Sequence, residues 1–81
     1  MIERSDEGGP AISGWTIYNR PRDYPAHYVV RMWTASDGGV IMGKVAALCG
    51  SLDEARAQIP PDAIYLGRQP DDDPVIVETW I

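Results

Sequence analysis

An 81-residue chain with a net charge of −5, 44% hydrophobic and 23% charged residues, has room for one domain and one core. Its composition excludes a wholly disordered chain, and twelve acidic against seven basic residues disfavour a phosphate-backbone binder, which depends on clustered Lys and Arg. The single cysteine, Cys49, excludes an intramolecular disulfide, and no apolar run approaches the roughly 20 residues of a membrane helix. With no charged-then-apolar leader and no lipidation signature, the expected setting is a reducing cytoplasm, without a membrane or nucleic-acid partner.

Residues 1–14 hold Glu3, Asp6, Glu7 and the Gly8-Gly9-Pro10 break and read as a flexible acidic tail before a single domain over 15–81. Trp15-Thr16-Ile17-Tyr18 suits a short first strand. Pro21 and Pro25 then fix φ and remove backbone donors, so 19–27 is an extended loop. The β-branched and aromatic run over 28–34 predicts a central strand with Tyr28, Val30, Met32 and Thr34 on a core face and Val29, Arg31 and Trp33 on the other. Asp37-Gly38-Gly39 predicts a tight reversal into a third strand over 40–48, in which Gly43 marks a bulge or a close backbone approach.

Ser51-Leu52-Asp53-Glu54 is a capping box: the Ser51 hydroxyl should accept from the Glu54 backbone N–H, and the Glu54 carboxylate from the Ser51 N–H. The helix starts at Leu52, carries the apolar stripe Leu52, Ala55, Ile59, and is stopped by Pro60-Pro61 after about two turns. So short a helix is unstable alone and must bury its stripe on the sheet. A short strand over 64–66 closes at Gly67, an acidic polar loop follows, and 75–81 reads as a last strand. Strict alternation there places Val75, Val77, Thr79 and Ile81 on one face and Ile76, Glu78 and Trp80 on the other, like Val29, Arg31 and Trp33. The two strands are therefore expected close in the sheet, with Arg31 paired to Glu78. The predicted architecture is α+β: a mainly antiparallel sheet of four to five strands with one short helix packed on one face, in the order β-β-β-α-β-β.

Chemistry is sparse. His27, the only histidine, has no serine elbow or cysteine signature beside it and reads as a solvent-facing loop residue, not a catalytic one. Cys49 lies just before the helix cap and reads as buried and inert. One His and one Cys are too few for zinc, and Asp71-Asp72-Asp73 lacks the Gly and Glu positions of an EF-hand, so no metal or other cofactor is expected. Recognition is better served. All large aromatics are Trp or Tyr, and Arg31, Trp33, Glu78 and Trp80 on one sheet face would make a protein-binding patch.

The Arg20, Arg22, His27 loop could instead hold a small anionic ligand, with Arg20, Arg22 and Arg31 outweighing Asp23 by two charges. A third reading is an inhibitor that imitates nucleic acid through Asp71, Asp72, Asp73 and Glu78. Together, Trp15-Thr16-Ile17-Tyr18, Pro21-Arg22-Asp23-Tyr24-Pro25, Tyr28-Val29-Val30-Arg31, Ser51-Leu52-Asp53-Glu54-Ala55-Arg56 and Asp72-Asp73-Pro74-Val75-Ile76-Val77-Glu78 resemble small uncharacterised bacterial proteins, chiefly of proteobacterial type. The resemblance implies a stand-alone cytoplasmic protein, with no activity or functional residue to carry over. The expected function is a non-enzymatic protein-interaction module, meeting a protein partner or a second copy of itself as a homodimer.

Overall fold

A computed structural model of the chain describes residues 12–36 and 38–81; segment 1–11 lies outside the described residues, as does the Asp37 position of the expected Asp-Gly turn. The elements are β1 (Ile12–Asn19), β2 (Tyr28–Ser36), β3 (Gly39–Cys49), α1 (Leu52–Ala57), β4 (Tyr65–Gly67) and β5 (Ile76–Trp80). Every strand pairing is antiparallel, in the order β3-β2-β1-β5-β4. The chain is thus an α+β domain of mainly antiparallel sheet with one short helix.

The middle of the sheet is β1, not β2, and it begins at Ile12, inside the stretch expected as tail. β1 is in the middle because β5 pairs with its other edge, and it starts early because the glycine that weakens the strand pattern does not end the pairing. Gly14 stands opposite Trp33, and the indole of Trp33 occupies the space that a side chain at Gly14 would need. Pairing therefore continues past it, to Ile12 opposite Ala35.

β3 carries the expected irregularity at Gly43. Arg31 pairs with Val45 and Trp33 with Met42, so Gly43 and Lys44 together stand opposite Met32 alone, and a Cβ at Gly43 would collide with the Met32 carbonyl. A second extra residue, Ala46, lies between the Val30–Ala47 and Arg31–Val45 pairs. β3 is also an edge strand. These bulges and the central Lys44 are two of the devices that blunt an open edge against pairing with another strand.

α1 starts as its cap requires. The Glu54 backbone N–H donates to Ser51 Oγ at 3.2 Å, while Glu54 Oε1 accepts from the Gly50 N–H at 2.7 Å, one residue earlier than the box predicts. The apolar stripe then meets the sheet: Ala55 and Ile59 are buried with Ile17 of β1, Val30 of β2 and Cys49 of β3. Full burial of a side chain such as Ile17 or Val30 contributes about 1.5–3 kcal/mol, enough to hold a helix this short.

β5 does not alternate as expected. Ile17 stands opposite Glu78 but its neighbour Tyr18 stands opposite Ile76, which leaves Val77 as the extra residue of a bulge. Val77 and Glu78 therefore both belong with Trp80 on the helix side, where Val77 and Trp80 pack on the core, while Ile76 and Thr79 turn to the opposite side. No residue type in the strand announces this bulge. A one-residue offset reverses every facing after it.

Candidate functional site

The helix covers one face of the sheet and leaves the other to Gly14, Thr16 and Tyr18 of β1, Val29, Arg31 and Trp33 of β2, and Ile76 and Thr79 of β5. Near the middle of this helix-free face the Trp33 indole Nε1–H donates to Thr16 Oγ1 at 3.0 Å, and the hydroxyls of Thr16 and Thr79 lie 3.3 Å apart across β1 and β5. Thr16 is buried, and this chain satisfies its hydroxyl. Trp33, Tyr18, Val40 and Ile76 line an open groove of about 280 Å³ together with the two threonines and Asp72. Its lining is largely apolar, and Val40 is 64% exposed.

Two loops meet at one end of the sheet, where the Asn19 backbone N–H donates to the Val75 carbonyl at 2.7 Å. The 20–27 loop is tied to the face by the Arg31 guanidinium, whose Nη2 donates to Asp23 Oδ2 at 2.7 Å. Val29, beside Arg31 on this side, is fully buried. In the acidic loop Arg68 donates to the backbone carbonyls of Ile76, Asp72 and Asp73 at 3.1–3.4 Å and so ties the loop to β5. Asp72 Oδ2 accepts from the Gln69 N–H and Asp73 Oδ1 from the Val75 N–H, two local turns that hold the carboxylates in place. Burial raises the pKa of the Tyr18 phenol; Arg31 draws it down, and Asp72 and Asp73 push it further up.

The expected patch of Arg31, Trp33, Glu78 and Trp80 is divided between the two faces. Arg31 and Trp33 share the helix-free face; Glu78 and Trp80 lie on the helix side. Arg31 does not pair with Glu78, because β1 separates β2 from β5 and the β5 bulge turns Glu78 away. Arg56 of the helix takes Glu78 instead, in a two-pronged contact of Nε to Oε2 at 3.0 Å and Nη2 to Oε1 at 2.8 Å, and the Trp80 indole N–H adds a third bond to Oε2 at 2.9 Å. Glu78 is only 1% exposed. The Arg56 hydrogen bonds hold its carboxyl below the usual carboxylate range against the upward push of burial, helped by Trp80 and by the Arg56 charge. Trp80 also meets the Tyr65 ring edge-on, with centroids 5.0 Å apart. Glu78 and Trp80 are therefore engaged within the fold on the helix side, and Glu78 leaves the exposed acidic group to which the nucleic-acid-imitating reading assigned it.

In the loop, Arg20 adopts a positive φ of 49°, donates its backbone N–H to the His27 carbonyl at 2.9 Å, and places its guanidinium 5.6 Å from the centre of the Tyr28 ring. Arg22 is exposed and His27 half-buried. Cys49 is free and buried, and burial, then Glu54, raises its thiol pKa. Among the described residues no group of three or more His, Cys, Asp or Glu could hold a metal ion, and no helix is long and apolar enough to cross a membrane. Sequence reasoning missed Thr16, Val40, Ile76 and Thr79 as wall and floor of the groove. The β5 bulge hid Thr79, whereas alternation had already set Ile76 on the face of Arg31 and Trp33, and the Gly38-Gly39 signal before Val40, which stands opposite Ala35, was legible. Comparison with protein-family models, curated proteins and solved structures finds no match.

Proposed function

We propose that this protein is a non-enzymatic interaction module and that its helix-free face, centred on Trp33 and the groove beside it, receives a protein partner. One observation carries the reading: the helix buries one side of the sheet, while the other presents Val40 and a half-buried Trp33 along an apolar groove with no element of the described chain over it. The buried, proton-retaining thiol of Cys49 disfavours a nucleophile, which supports binding over catalysis. The devices on the β3 edge favour contact through the face over strand addition. The competing reading, an anionic ligand at Arg20, Arg22 and His27, is weakened by Asp23, which sits in the same loop and takes up Arg31.

Affinity capture with wild type beside Val40→Glu tests this reading. Val40 is mostly exposed, so the substitution spares the fold, unlike Trp33→Ala, which also strips packing and the Thr16 bond. A protein held by wild type and lost by folded Val40→Glu is the expected result. Equal recovery by both, or self-association in sedimentation that Val40→Glu abolishes, would replace the foreign partner with another surface or with a homodimer.

A further inference from the structure

We infer that the groove on the helix-free face takes a lysine or arginine side chain from an extended segment of the protein partner, an inference that rests on the interaction-module reading above. The aliphatic stem would lie along Trp33, Val40 and Ile76, and the cationic head would reach the Asp72 carboxylate.

Shape and chemistry point to this occupant. At about 280 Å³ and widely open, the groove falls just below the roughly 300–1,000 Å³ of sites that enclose a free small molecule, yet a single long side chain needs no enclosure. Its lining is largely apolar and includes one carboxylate, that of Asp72. That is the complement of a basic side chain, which buries an apolar stem and keeps its charge at a polar boundary. The Thr16 and Thr79 hydroxyls on the floor are already engaged with Trp33 and each other, so the groove makes no competing demand for a polar body.

The local charges agree. Asp71, Asp72 and Asp73 are consecutive in the loop, and two nearby arginines, Arg68 and Arg31, are engaged by other acceptors than these carboxylates. Arg68 donates to three backbone carbonyls, and Arg31 is bound to Asp23. Among the described residues the ion pairs are Arg31–Asp23 and Arg56–Glu78, and neither involves Asp71, Asp72 or Asp73. A second copy of the chain would bring the same −5 and be repelled, whereas a basic partner is steered toward it.

The test is a titration of the ¹⁵N-labelled full chain with the blocked peptide valyl-lysyl-valyl-lysine amide, its glutamate counterpart, and n-hexylammonium chloride, followed at the Trp33 indole N–H and the Thr79 amide. Wild type is compared with Asp72→Asn, which keeps an acceptor for the Gln69 N–H, and with Val40→Ser. The lysine peptide should shift both signals saturably; each substitution should weaken it by roughly two- to fivefold, and added salt should weaken wild type more than Asp72→Asn. The glutamate peptide should leave the groove unshifted. Equal binding of the glutamate peptide, unchanged affinity in Asp72→Asn, or no shift with lysine peptide would overturn the inference. Hexylammonium bound as tightly as the peptide would overturn it in favour of a free amine. If the lysine peptide fails while capture still yields a Val40-dependent partner, the cation assignment falls and the interaction module stands; if both fail, both fall.

Discussion

The indole of Trp33 lies across Gly14, its cross-strand partner, in the space where any larger residue's side chain would begin, and from there donates to Thr16. One glycine thus sets the position of the ring at the centre of the helix-free face. Gly14→Ala should push the indole off the sheet and break the Thr16 bond, destabilising the fold by about 1–3 kcal/mol in urea titration. It should also move the Trp33 indole resonance. An unchanged midpoint and resonance would mean that the glycine is not what seats the ring.

Arg56 and Glu78 predict an asymmetry. Removing the carboxylate leaves an arginine that is already half in water, whereas Arg56→Ala leaves a carboxylate 1% exposed with Trp80 as its remaining donor. Arg56→Ala should therefore cost more stability than Glu78→Gln. The two variants should unfold at clearly different urea midpoints.

The same pair fixes the sign of a pH effect. In wild type the folded pKa of Glu78 lies below its unfolded value of about 4.3, so its contribution is fully present above that value and is lost as pH falls through the folded pKa. Without Arg56, burial dominates and the folded pKa rises above the unfolded one, so the variant should gain relative stability as the pH falls through that raised pKa. Thermal melts of both proteins from pH 7 to pH 3 should converge. Parallel curves would remove Glu78 from the account.

Ser51 Oγ accepts the Glu54 N–H at the start of a helix only six residues long. Ser51→Ala should cost about 1 kcal/mol, and because Ala55 and Ile59 join the core, the loss should appear as global destabilisation in denaturant and not as fraying alone.

Arg68 holds the acidic loop by its carbonyls, not by its charges. Arg68→Ala should cost little globally, about 0.5–1.5 kcal/mol, but speed hydrogen exchange at the Asp72 and Ile76 amides, which are bonded within the loop to Gln69 and Asp73. It should also weaken partner binding by releasing Asp72 from the groove. Unchanged exchange would show that the local turns suffice without the arginine.

Local signals in the sequence reached far into this fold. The proline pair bounding the first loop, the Gly38-Gly39 reversal, the Ser51 cap, the Pro60-Pro61 stop and the Gly43 irregularity all act within a few residues of where they are read, and each element lies where they place it. What failed was non-local. The Val77 bulge depends on how β5 registers against β1, and a period-two reading has no access to it; one skipped residue moved Glu78 and Trp80 off the face assigned to them. Arg56 as the partner of Glu78 was hidden for the same reason, since the two stand 22 positions apart in the chain and meet only in the folded domain. The candidate site was half legible: Arg31 and Trp33 could be placed on a common face by alternation, whereas the walls supplied by Ile76 and Val40 come from two other strands.

The most direct measurement of the central claim is site-specific photo-crosslinking in the cell that makes the protein, with a benzophenone side chain at Val40 on the helix-free face and, in parallel, at Ala57 on the exposed side of the helix. The account predicts a discrete adduct with another protein from position 40 and none from position 57. Adducts of equal yield from both positions, or from position 57 alone, would contradict it.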